Sequence, residues 1–108
     1  MEYSYSYRFT EKAAKDLDDI LRYISVDLSN PIAAQNFGKR VFEKIDLVRS
    51  FPLSCERVSN EFLDDNSIFK MLVDNYIIYY KVHLDEKIIS ILRVVYGKRN
   101  LDEILKTI

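Results

Sequence analysis

The sequence predicts an α+β fold. An N-terminal strand and a long α-helical hairpin pack on one face of a mainly antiparallel sheet of about four strands, and a short C-terminal helix ends the chain. Three observations predict it. Between Ser67 and Arg99, three runs rich in β-branched and aromatic residues are broken by Asp74-Asn75 and by Leu84-Asp85-Glu86. Such runs suit a pleated sheet, and joins this short make an antiparallel meander. Between Glu11 and Ser50, apolar residues recur at three- and four-residue spacing in two stretches split by Ser29-Asn30-Pro31. At the start, Tyr3, Tyr5, Tyr7 and Phe9 alternate with Ser4, Ser6 and Arg8, the period of a strand.

Composition narrows the class. The 108 residues, 48% hydrophobic and 31% charged, predict a single folded domain spanning residues 1–108. No apolar run approaches the roughly 20 residues of a membrane helix. The first residues lack the basic start and apolar stretch of a signal peptide. A lone cysteine forms no internal disulfide, so a cytoplasmic setting is expected. A net charge of -1 argues against coating nucleic acid by bulk electrostatics. One histidine and one cysteine do not supply the ligands of a structural zinc site, and no metal or cofactor is expected.

The elements follow in order. The row of four rings reads as an edge strand packed under helices rather than a base-stacking platform. Thr10 caps the first helix, and Ala13, Leu17, Ile20, Leu21, Ile24 and Leu28 form its apolar stripe. Asn30 caps the second and Pro31 fits its first turn. Ile32, Ala34, Phe37, Val41, Ile45 and Val48 line its inner side, and it stops before Phe51-Pro52. Leu53 to Asn66 reads as an acidic surface loop. It contains Cys55, whose neighbours Glu56 and Arg57 cancel and leave no setting for a reactive thiol. His83, beside the second join, reads as a solvated turn residue.

In the meander, Ile77 and Tyr79 alternate with Ile78 and Tyr80, and Ile89 and Ile91 with Ile88, Ser90 and Leu92. Both faces of the sheet are therefore apolar, and a hairpin covers only one. The other face, with Ile77, Tyr79, Ile89 and Ile91, is expected to meet a partner or the C-terminal segment. The last strand runs into a basic tip: Arg93, then Lys98 and Arg99 beyond Gly97. Asn100 caps a final helix with Leu101, Ile104, Leu105 and Ile108 on its apolar side.

This order of elements resembles the RelE/ParE toxins of bacterial type II toxin–antitoxin systems. Phe9-Thr10 with Ala14, Asp16-Leu17, Ile20 and Tyr23 is similar to the family's first helix. Pro31, Ala33-Ala34, Phe37, Ile45 and Phe51-Pro52 are similar to its second. Lys70-Met71-Leu72-Val73, Asn75-Tyr76, Tyr79-Tyr80 and Arg93 to Asn100 are similar to its central strands and basic end. The resemblance implies a growth inhibitor silenced by a cognate antitoxin, in a hetero-oligomer, bound along the sheet through Ile77, Tyr79, Ile89 and Ile91. It also implies one of two targets. RelE-like members cut mRNA on the ribosome, with basic residues that align here with Lys70 and Arg99. ParE-like members act on DNA gyrase. The positions of three further RelE-like catalytic residues hold Leu72, Ile77 and Leu105, which leaves Lys70, Arg99 and Tyr96 as the candidate catalytic set. The long hairpin and the Tyr-Gly-Lys-Arg-Asn end are closer to ParE, with Arg93, Lys98 and Arg99 as target-binding residues. An mRNA endonuclease is the alternative, and an inactive antitoxin-binding relative the second.

Overall fold

Two capping side chains start the helical hairpin. In the computed structural model, which describes residues 4–58, 67–99 and 101–108, strand β1 (Ser6–Phe9) leads into helix α1 (Glu11–Arg22). The Ala13 N–H donates to Thr10 Oγ1 at 3.1 Å, satisfying one of the backbone donors that a helix start leaves orphaned. α1 widens into a π-helical turn over Tyr23–Asp27. Helix α2 (Pro31–Ser50) begins likewise, its Ala33 N–H donating to Asn30 Oδ1 at 3.1 Å.

Strands β2 (Glu56–Arg57), β3 (Ile68–Val73), β4 (Tyr76–His83) and β5 (Ile88–Tyr96) complete a five-stranded sheet in the order β1-β5-β4-β3-β2. The meander is antiparallel, and β1 joins β5 in parallel with Ser6 opposite Ile88. The strand not foreseen is β2. It falls in the expected surface loop and pairs with β3, Glu56 opposite Lys70. The remainder of that loop, the Tyr3 ring and the Asn100 cap lie outside the described residues.

The main core lies between hairpin and sheet. Ala13, Leu17, Phe37, Val41, Ile45 and Val48 meet Met71, Ile78, Tyr80, Ile89, Ile91 and Val94. The stripe of α2 from Ala34 to Val48 is buried, as are Ala13 and Leu17 of α1; Ile20, Leu21 and Ile24 are partly buried, and Leu28 and Ile32 at the hairpin tip are exposed. Tyr5 and Phe9 pack against this core. The Tyr7 ring touches Phe9 and Phe42, with the Arg49 guanidinium over it. The aromatic row of β1 is thus engaged in packing.

A second core lies on the opposite face. Ile77, Tyr79 and Val95 are covered by Ile104 and Leu105, from helix α3 (Leu101–Leu105) and its end, with Leu92 and Leu101 packed alongside. Of the two expected occupants of this face, the C-terminal segment is the one that covers it, and the expected grouping of Ile77, Tyr79, Ile89 and Ile91 on one face is corrected. Ile77 and Tyr79 are buried beneath α3, whereas Ile89 and Ile91 are buried on the other face, beneath the hairpin. The cause is a β-bulge. Tyr79 stands opposite Arg93 and Tyr80 opposite Ile91, so Leu92 has no residue of its own across the ladder. Alternate counting straight through β5 changes face at that point.

Phe37 is 2% exposed and its ring lies 5.0 Å from that of Tyr76. Phe37→Ala is expected to destabilise the fold by roughly 3–5 kcal/mol, read as a lowered urea midpoint with an unchanged m-value.

Candidate functional site

The site is built where β1 gives way to α1 along the edge of β5. β1 ends at Phe9, so β5 loses its strand partner just as it bulges. Thr10 carries the pairing one step further: its N–H donates to Ile91 O at 3.0 Å and its hydroxyl to Leu92 O at 3.1 Å. Beyond that, Asp16 of α1 takes over. The Val94 N–H donates to Asp16 Oδ2 at 3.0 Å. Arg93 donates to the same carboxylate twice, Nε to Oδ2 at 2.7 Å and Nη2 to Oδ1 at 3.1 Å. Its Nη1 donates to Thr107 Oγ1 at 2.8 Å, beyond α3. The two side chains are only 13% and 16% exposed. Donating to Asp16, and facing its negative charge, raises the Arg93 guanidinium above its ordinary pKa.

Arg93 is therefore a bolt between α1, β5 and the C-terminal segment. Expected among the target-binding residues, it is held in this structure by Asp16 and Thr107.

Next to this bolt a cavity of about 230 Å³ opens between α1 and the end of β5. Asp16, Ile20 and Tyr23 form one wall, and Tyr76, Tyr96 and Arg99 the other. The Tyr76 and Tyr96 rings meet edge to face at 5.6 Å. Burial pushes the Tyr76 hydroxyl pKa up, and the nearby Tyr23 and Tyr96 add to the shift, so the phenol stays neutral. Gly97 lets the tip fold tightly. Its N–H donates to Asn75 O at 2.8 Å, and a Cβ there would sit 3.1 Å from that oxygen.

Of the candidate residues, Tyr96 and Arg99 come together on this cavity, with Lys98 exposed beside them. Lys70 does not join them. It stands opposite Tyr79 on the face that carries α3, and its Nζ lies 3.5 Å from Glu56 Oε2. Tyr96 stands opposite Tyr76, which packs on Phe37 on the hairpin face. The expected catalytic set is thus split between the two faces of the sheet. The cavity has three phenols, a guanidinium and two carboxylates, Asp16 engaged by Arg93 and Asp19 by Lys15. Such a lining binds by hydrogen bonds and ring contacts, and it has no histidine to move a proton. Sequence reading missed Asp16, although it stands beside Leu17 at the border of the buried stripe, where a carboxylate needs a partner.

The chain matches the family described as the ParE toxin of the type II toxin–antitoxin system, parDE, over residues 7–101. It belongs to that family, and is a ParE/RelE-type toxin of a type II toxin–antitoxin system. The fold is similar to that of a solved protein of the chromosomal ParDE system of P. aeruginosa, with a TM-score of 0.69 at 22% identity, covering 90% of this chain and 100% of that one. It is also similar to chains from the RelBE2 toxin–antitoxin complex of Mycobacterium tuberculosis (TM-score 0.59, 20% identity, 86% and 98% covered). A third similar chain is from the archaeal RelE–RelB complex of Pyrococcus horikoshii OT3 (TM-score 0.61, 20% identity, 89% and 98% covered). No curated protein matches the chain by sequence. No helix among the described residues is long and apolar enough to cross a membrane.

The Asp16–Arg93 pair sets a testable demand. Asp16→Ala leaves a largely buried guanidinium and the Val94 N–H without their acceptor, and is expected to destabilise by about 3 kcal/mol. In a double-mutant cycle by urea denaturation, adding Arg93→Ala is expected to cost much less than it does in the parent chain.

Proposed function

We propose that this toxin arrests growth by binding DNA gyrase in the ParE manner, through the tip formed by Tyr96, Lys98 and Arg99, and that a cognate cytoplasmic antitoxin silences it. The observation that carries the choice of target is that Lys70 lies on the face that carries α3, whereas Tyr96 lies on the hairpin face and shares its cavity with Arg99. Cleaving RNA needs proton transfer and charge stabilisation at one phosphate, and these groups do not converge on one. A binding tip requires only exposure, and Lys98 and Arg99 are exposed.

The solved RelE–RelB and RelBE2 structures are toxin–antitoxin complexes. In this chain the antitoxin takes the place of α3 over Ile77 and Tyr79. A five-residue helix is a small cover, and a longer apolar segment buries more of the same face. In hydrogen exchange, the amides of residues 101–108 are expected to lose protection when the antitoxin binds, while those of β4 keep theirs. Unchanged protection at 101–108 places the antitoxin elsewhere.

Brief induction of the toxin, with DNA-damage reporting and transcript-end mapping in one culture, tests the target. DNA damage without new transcript ends is expected. New transcript ends without DNA damage would instead assign mRNA cleavage on the ribosome, and harmless overexpression an inactive relative. Replacing Lys98 and Arg99 together by Glu is expected to abolish growth arrest while the purified chain keeps its thermal midpoint within about 2 °C, since surface changes of this kind alter stability little.

A further inference from the structure

The cavity beside the Asp16–Arg93 pair is lined by three rings and by charges of both signs. Asp16, Asp19 and Tyr23 stand three and four residues apart, so they form one stripe along α1 and its end. Tyr23 opens the π-helical turn, its carbonyl accepting from the Leu28 N–H at 3.0 Å, five residues on. Single turns of this kind recur at functional sites. On the facing wall, Tyr76 and Tyr96 are register partners of β4 and β5, and Arg99 lies two residues past Gly97. Tyr23 and Tyr96 are 49% and 37% exposed, large rings left open on opposite walls. Asp16 is taken by Arg93, and Asp19 by an exposed pair with Lys15 at 2.8 Å. Arg99 has no ion pair among the described residues. An anion entering here meets two carboxylates, and a cation meets Arg99 with Arg93 and Lys15 close by. A neutral aromatic ring meets neither penalty. Its negative face suits the guanidinium, and its positive edge suits carboxylate and phenol oxygens. Size agrees: an apolar cavity of roughly 150 Å³ holds a benzene ring, and this one has about 230 Å³.

We infer that this cavity is the socket for one aromatic side chain, tyrosine or tryptophan, of the protein that the basic tip engages. This rests on the reading of the tip as a target-binding surface, and adds what the tip grips. Exposed Lys98 and Arg99 steer an acidic surface toward the tip, which governs approach more than affinity. A ring seated beside them supplies the affinity, because interfaces draw most of theirs from a few buried anchors, Trp and Tyr foremost. Tyr23 on one wall and Tyr96 on the other give that ring aromatic neighbours on both sides. A nucleobase also stacks on tyrosine, but it arrives on a phosphate backbone, which Asp16 and Asp19 repel. The observations therefore favour a protein side chain.

Small probes titrated into the full chain, followed by NMR at the Ile20 methyls, test the socket. Ile20 lines the cavity, so a ring bound there shifts its methyls by ring current. p-Cresol, the tyrosine side chain as a free molecule, is expected to shift them saturably, with a Kd on the order of 1 mM for so few atoms. 4-Methylcyclohexanol, its saturated counterpart, is expected to bind several-fold more weakly, as are propionate, propylguanidinium and uridine 5′-monophosphate. Tyr23→Ala is expected to weaken p-cresol about tenfold, and Arg99→Gln about threefold. Tyr23→Leu keeps an apolar wall and removes only the ring, and is expected to weaken it about threefold. In cells, Tyr23→Ala is expected to lose growth arrest at an expression level where the parent chain arrests. Full arrest by that variant overturns the proposal. So does the absence of a saturable p-cresol response, any of the other probes binding as tightly, or unchanged p-cresol binding in the folded Tyr23 variants; tighter binding of uridine 5′-monophosphate assigns a nucleotide instead. The reading of the tip fails separately, when the chain with Lys98 and Arg99 replaced by Glu still arrests growth, whether or not p-cresol binds.

Discussion

Asp16 holds the hairpin and the sheet in a single register. A strand edge that loses its neighbour exposes backbone donors, and a buried donor without an acceptor is costly. β5 meets this problem at its bulge, where β1 has already turned into α1. The same carboxylate accepts the Val94 N–H and grips Arg93. Desolvating such a pair offsets much of its attraction, so its main effect is positional. It fixes where the ladder shifts, and hence which face each later side chain of β5 occupies. Arg93 carries the constraint onward to Thr107, whose carbonyl also accepts from Lys12 Nζ at 2.9 Å. The C-terminal segment is thereby tied to α1 as well as to the sheet.

Most of this architecture was legible in the sequence because it obeys local rules. Thr10 and Asn30 cap helices, Pro31 starts one, and the stripe from Phe37 to Val48 is a helical period on a buried face. The candidate site was legible only in part. Tyr96 and Arg99 lie close in the chain, so their meeting at one cavity needed no tertiary knowledge. The faces of β5 were not legible. Its apolar run, Ile88 to Val95, reads equally well in either phase, and the bulge is set by a contact with a residue more than seventy positions away. The covering of Ile77 and Tyr79 was an open alternative, since a short apolar helix docks wherever the sheet offers area. His83 was read as solvated because sequence does not show that Ser90 and Arg8 meet it across two ladders.

The bulge also explains why function cannot be spread evenly over this sheet. Had β5 alternated without interruption, Ile89, Ile91, Arg93 and Val95 would share a face, giving a continuous apolar groove with a cation within it. The shift instead gives Ile89 and Ile91 to the main core, and leaves α3 a small apolar patch of Ile77, Tyr79, Leu92 and Val95. That patch matches a short helix in size. Beyond it the face turns polar, with Arg8, Ser90, Lys81 and His83 where an unshifted strand would still need cover. A short cover and an open polar half are therefore consequences of one inserted residue. An occupant of the α3 patch has to be apolar, whereas in the other half Arg8 and His83 are already engaged by the Ser90 hydroxyl. The two halves of one face are therefore held by different interactions, apolar contact in one and side-chain hydrogen bonds in the other.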